Sequence, residues 1–199
     1  LSSFDIVLES AVSDAVRKGI TVIFSTGNRG RDFPGMHPEV ISVGGVYVSK
    51  DGSMEATSYA SGFQSQIYPQ RQIPDVCGLV GLPPLAAYIM LPVEPGDNLD
   101  KKFAEKRHPD GDETSPIDGW AAFSGTSAAA PQIAGICALL KQVNPELPPF
   151  QIRDILKRTA RDVIKGQSFQ EPAHQGHDLA TGAGLVDASK AVDEAKRMI

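Results

Sequence analysis

At 199 residues, with 41% hydrophobic and 22% charged side chains, the chain has the composition of an ordinary globular protein and the length to bury a sizeable core. Its formal net charge of −5 argues against nucleic acid as the main partner. No apolar run approaches the roughly 20 residues that a membrane-spanning helix needs. The two cysteines, Cys77 and Cys137, are too few for a disulfide framework, and no CxxC or Cys/His spacing suited to zinc occurs.

Residues 4–18 carry Ile6, Val7, Leu8, Ala11, Val12, Ala15 and Val16 at helical spacing, and Ser2 with Asp5 offers a capping box in front of them. Gly19 stops that helix. Residues 21–25 read as a short β-branched, apolar strand and 39–48 as a second, whose Gly44-Gly45 pair permits close packing or a bulge. Residues 75–80 read as a third strand, with Cys77 a small buried hydrophobe in it. The stretch from Gly81 to Gly119 is the least regular. Ala86 to Leu91 alternates like one more strand, and the remainder, rich in Pro and Gly, reads as a long loop. Its oxygen-bearing residues Asp97, Asn98, Asp100, Asp110, Asp112 and Glu113 raise the question of calcium, an oxygen-seeking ion. No EF-hand spacing exists among them, so the simpler reading is a solvated acidic loop, and no cofactor is expected.

The C-terminal third is helical. A helix runs from Ser127 to about Asn144, where Asn144-Pro145 ends it, with Cys137 on its apolar face and Pro131 expected within the first turn or so. Two more helices are predicted, over 149–159 with Ile152, Ile155 and Leu156 inward, and over 187–197 with Asp187 at its positive end. Short apolar strands separated by helices predict an α/β fold, a mostly parallel sheet with helices on both faces.

The densest chemical signal lies at Phe123 to Pro131, Phe-Ser-Gly-Thr-Ser-Ala-Ala-Ala-Pro. A Gly-Thr-Ser turn running straight into an apolar helix puts the Ser127 hydroxyl among unpaired N–H groups at the positive end of the helix dipole. A nucleophilic serine needs such a place, because negative charge develops beside it as it attacks a carbonyl. Taken locally, the same pattern also fits a plain N-cap or an anion held at a helix end. No Walker-type phosphate loop is present. Asn28, after Gly27, reads locally as a turn residue tolerant of left-handed geometry.

Four segments in order tie these pieces together. Ser124-Gly125-Thr126-Ser127-Ala128-Ala129-Ala130-Pro131-Gln132-Ile133-Ala134-Gly135 resembles the nucleophile helix of subtilisin-like serine peptidases, the subtilases. Val22 to Asn28 resembles that family's strand and turn bearing the oxyanion-hole asparagine, Val40 to Val46 its following core strand, and Asp178 to Ala188 the Gly-x-Gly turn opening its last helix. The resemblance implies that Ser127 is the nucleophile and Asn28 the oxyanion donor of an endopeptidase that acts on polypeptides through an acyl-enzyme. It makes 1–199 the C-terminal portion of one subtilisin-like domain, with about 82–120 an irregular insertion.

The family's catalytic Asp and His precede the asparagine in chain order, and no segment here matches them. The resemblance therefore implies that an N-terminal segment outside this chain supplies both. His37, His108, His174 and His177 all fall in turn or loop sequences, and none matches the family's base. Two other readings stand beside this one. A catalytically inactive, protease-like binding or scaffold module would need neither Ser127 nor Asn28. A serine-carboxyl peptidase would carry Asp at the position of Asn28.

Overall fold

A computed structural model describes residues 2–31, 33–82, 89–107 and 110–199 of the protein. The chain opens with α1 (Ser3–Arg17), closed by a complete capping box: Ser2 Oγ accepts the Asp5 N–H at 3.2 Å, and the Asp5 carboxylate accepts the Ser2 N–H at 2.7 Å. The central sheet is built on β2 (Ile41–Val48). Strands β1 (Ile23–Ser25) and β6 (Val76–Leu79) pair with it in parallel, and β3 (Met54–Ala56) pairs antiparallel to its far end. Two small antiparallel pairs flank it, β4 (Phe63–Gln64) with β5 (Gln72–Ile73) and β7 (Ile89–Pro92) with β8 (Trp120–Phe123). Gly44 serves close packing, since a Cβ there would stand 2.9 Å from both Cys77 Sγ and Pro74 Cγ.

Helix α3 (Thr126–Val143) lies across β1, β2 and β6. Helix α5 (Ala188–Lys196), its N-cap Asp187 accepting the Lys190 N–H at 3.1 Å, packs on α3, and α4 (Pro149–Thr159) packs on α5. One apolar cluster runs through all of these layers, from Ile41 and Val76 through Ile133 and Leu140 to Ile152 and Ala191. Full burial of each Ile or Leu in it contributes about 1.5–3 kcal/mol. Pro131 is the sixth residue of α3, further in than the sequence suggested. Its missing N–H leaves the Ser127 carbonyl, one turn back, without its helical donor.

Cys77 and Cys137 are buried and unpaired. Burial pushes both thiols up, that of Cys137 to about 12. An ion pair is buried as well. The Arg71 guanidinium forks onto the Asp75 carboxylate with two contacts of 2.7 Å, and Asp75 also accepts the Ser42 N–H of β2 at 2.8 Å.

The region read as mostly loop is more ordered than its sequence suggests. Besides β7, which overlaps the strand expected over Ala86 to Leu91, it holds α2 (Asn98–Phe103), and β8 follows directly after it; Ala86, Ala87 and Tyr88 lie outside the described residues. Its carboxylates bind backbone. Asp97 caps α2 by accepting the Leu99 N–H at 2.9 Å, buried Asp100 accepts the Gly96 and Gly119 N–H groups at 2.7 and 3.3 Å, and Asp112 accepts that of Ala122 at 3.1 Å. Among the described residues no group of three or more His, Cys, Asp or Glu could hold a metal ion, and no helix is long and apolar enough to cross a membrane.

Candidate active site

Strand β8 delivers the chain into Ser124-Gly125, and α3 begins one residue later. Gly125 sits at φ 123°, ψ 153°, a backbone conformation that L side chains rarely adopt. The open N–H groups of the first turn are divided with care. The Gly125 N–H donates to the Tyr59 hydroxyl at 2.9 Å, the Thr126 N–H to Asn28 Oδ1 at 3.2 Å, and the Ala128 N–H to the Gly125 carbonyl at 3.0 Å. The Ser127 N–H has no acceptor among the described residues and forms part of the positive end of the helix dipole. Ser127 itself is exposed, and its hydroxyl has no hydrogen-bond partner among the described residues.

Asn28 follows β1 in a turn with positive φ on both sides, 93° at Gly27 and 62° at Arg29. A non-glycine residue in that region is held by its surroundings. Here the Arg29 N–H donates to the Tyr59 carbonyl at 2.8 Å, the Ser61 N–H to the Gly27 carbonyl at 3.0 Å, and Asn28 bridges to Ala60. The Asn28 Oδ1 accepts from both the N–H and the hydroxyl of Thr126, each at 3.2 Å. An amide with its oxygen so engaged turns its NH₂ the other way, so Nδ2 is a donor with no acceptor among the described residues. A Cβ on Gly125 would lie 3.5 Å from that Nδ2, which places the amide against the turn that carries Ser127. Thr126 is fully buried, so it packs into the turn as well as clamping Asn28.

The structure thus brings Ser127 and Asn28 into one neighbourhood, 99 residues apart in the chain. It adds Tyr59, which the sequence reading passed over. Its ring is half-buried against the main core, and its hydroxyl donates to the Gly81 carbonyl at 2.6 Å while accepting from Gly125. No local pattern announces this, since Tyr59 and Gly125 are 66 positions apart and a tyrosine beside a strand reads as packing.

The histidines lie elsewhere. His37 is buried between the rings of Phe33 and Tyr68, with Nδ1 accepting the Glu39 N–H at 3.1 Å. His177 shares a cleft with Lys157, Arg158 and Asp162, and His174 is an exposed loop residue. His108 lies outside the described residues. Among the described residues no imidazole hydrogen-bonds Ser127.

Two clefts border this site. One lies between Leu99, Lys102 and Phe103 of α2 and the β8 residues leading to Ser124. The other is lined by Arg29, Arg31, Ser61, Phe63 and Phe169, with the Arg31 guanidinium 5.8 Å above the Phe63 ring.

A model of the Subtilase family (Peptidase_S8) matches residues 3–184. The alkaline elastase YaB of Bacillus sp. (strain YaB) is 27% identical over 187 residues, a match covering 92% of this chain and 36% of that protein. The serine protease AprX of Bacillus subtilis (strain 168) is 33% identical over 160 residues, covering 75% of this chain and 32% of that protein. Among solved structures, fervidolysin from Fervidobacterium pennivorans, a keratinolytic enzyme related to subtilisin, superposes with a TM-score of 0.66 at 24% identity over 93% of this chain and 24% of its own. Sphericase gives a TM-score of 0.62 at 23% identity, covering 89% of this chain and 51% of its own. The chain thus spans about a third of the length of either of these two curated relatives.

Proposed function

Because the chain belongs to the subtilase family, we propose that it is the nucleophile-bearing, C-terminal portion of a serine endopeptidase domain, with 82–120 as an insertion. The observation that carries this is the Thr126 clamp on Asn28 Oδ1, which leaves an amide donor beside the open first turn of α3 where Ser127 is exposed.

In this reading Ser127 Oγ attacks the carbonyl carbon of a peptide bond while an imidazole takes its proton. The negative charge that develops on the carbonyl oxygen is met by the Asn28 Nδ2 and Ser127 backbone N–H groups, fixed donors that need no reorganisation. The C–N bond then breaks, the amine leaves with the proton from the imidazole, and water hydrolyses the acyl-enzyme to regenerate Ser127. The imidazole and its orienting Asp come from an N-terminal segment outside these residues. Polypeptides are the substrate class.

The test is fluorophosphonate labelling of protein expressed from the complete gene, with the labelled residue identified by mass spectrometry. Label on Ser127 that disappears in Ser127→Ala is the expected outcome. Folded, fully processed protein that takes no label would instead be an inactive binding or scaffold module.

A further inference from the structure

We infer that Tyr59 is a positioning residue for the nucleophile, holding the Gly125 turn in the one conformation that presents Ser127 beside Asn28; this rests on the peptidase reading above. Gly125 needs such a hold. At φ 123° it occupies a region open to glycine, but glycine is equally free to leave it, so the sequence Ser-Gly-Thr does not by itself select the turn. As the N-cap of α3, Gly125 has no side chain with which to cap the helix. Its N–H must find an acceptor elsewhere.

The Tyr59 hydroxyl is that acceptor, at 2.9 Å, and its own proton goes to the Gly81 carbonyl at 2.6 Å. Both roles of the hydroxyl are therefore filled. Gly81 follows directly on Val80, whose N–H donates to the Val46 carbonyl of β2 at 2.9 Å, so the phenol ties the nucleophile turn to the end of the central sheet. Burial holds the Tyr59 phenol above the ordinary tyrosine value, which keeps it an O–H donor.

The second anchor of the turn comes from the same place. Tyr59 accepts the Arg29 N–H through its carbonyl at 2.8 Å, and Ala60 bridges Asn28. The segment that fixes Gly125 is thus paired with the segment that fixes Thr126. The two consecutive residues before Ser127 are pinned from one two-stranded clamp, and a shift in either arm moves the hydroxyl relative to the amide of Asn28. Misplacement by an ångström at a reacting centre costs up to about 100-fold.

The experiment uses protein from the complete gene and compares wild type with Tyr59→Phe, which removes only the hydroxyl. Rates are expressed per active site titrated with fluorophosphonate, so partial folding does not enter. Tyr59→Phe should lower kcat and the fluorophosphonate labelling rate together by about 10- to 100-fold, with KM within twofold. Equal kcat and labelling rate in the two proteins would overturn the inference, as would a raised KM with kcat unchanged. Should Tyr59→Phe not fold, hydrogen exchange in the wild type decides. The Gly125 amide should be protected and the Ser127 amide open, and a Gly125 amide that exchanges as fast as that of Ser127 sinks the idea. If wild type takes no label at Ser127, it is the peptidase reading that fails, and the two failures are told apart.

Discussion

Asn28 uses the two ends of one amide differently, and the difference is testable. Replacing it by Ala removes the free Nδ2 donor and orphans the Thr126 N–H and hydroxyl. We expect kcat to fall about 100- to 1,000-fold with KM little changed; that range comes from the corresponding asparagine of subtilisin, a member of the same family. Steady-state kinetics on the variant from the complete gene checks it. The Arg71–Asp75 pair predicts a different kind of loss. Its two 2.7 Å contacts are buried, so Arg71→Ala leaves a carboxylate with Lys157 4.0 Å away as its remaining cation. Breaking a buried pair from one side costs about 3–5 kcal/mol, which urea unfolding would register. His37 sets a pH dependence. Burial holds it below the ordinary imidazole value, aided by Arg71 and opposed by the Glu39 and Glu9 carboxylates. The unfolded chain therefore takes up a proton first, at about pH 6.5. Stability is full above that pH and is lost as the pH falls through it towards the lowered native value. The urea midpoint should drop between about pH 7 and about pH 5, and His37→Gln should flatten that slope.

Among the elements, those with a strong period and a clear stop were legible. The spans for α1, α3, α4 and α5 lie within a residue or so of the observed ones, because apolar spacing and the caps at Ser2 and Asp187 are local signals. The strands β1, β2 and β6 were legible as short apolar runs. What escaped depends on partners far along the chain. Helix α2 and β8 owe their order to Asp100 and Asp112 accepting backbone N–H groups, and an aspartate written in a Pro/Gly-rich stretch gives no sign of what it will bind. Of the candidate site, Ser127 stood out through its Gly-Thr-Ser turn ahead of an apolar helix, whereas Asn28, locally a plain turn residue, was singled out only by the family resemblance of Val22 to Asn28. Tyr59 was not, since its contribution lies in a hydroxyl that meets a glycine N–H 66 residues further along the chain. The helical layer makes its own prediction. Leu140, fully buried where α3 meets the rest of the core, should cost about 2–5 kcal/mol on truncation to Ala, seen as a lowered urea midpoint with an unchanged slope.

On the scale of the molecule, the sheet is finished on one side only. The outer edge of β6 is met by Leu185, the Cys77 N–H donating to the Gly184 carbonyl at 2.8 Å and the Val186 N–H to the Cys77 carbonyl at 3.0 Å. No strand pairs the outer edge of β1 among the described residues, and α1 presents Phe4, Ile6 and Val7 at 74%, 53% and 69% exposure. An open parallel edge and exposed apolar side chains each invite association. A polypeptide limited to these 199 residues should therefore self-associate with rising concentration. Sedimentation velocity would contradict this if it found a monomer throughout.

The stacking order of the helices bears on how such a chain is made. Helix α5 packs between α3 and α4, yet it is the latest of the three in sequence. During synthesis α3 and α4 leave the ribosome before the helix that joins them exists. The cluster that buries Ile152 and Ile155 of α4 then lacks Ala191 and Ala195 until translation has passed Lys196. Until α5 has been made the core stays open, and that interval is when a chaperone, or a neighbouring nascent chain, would find it.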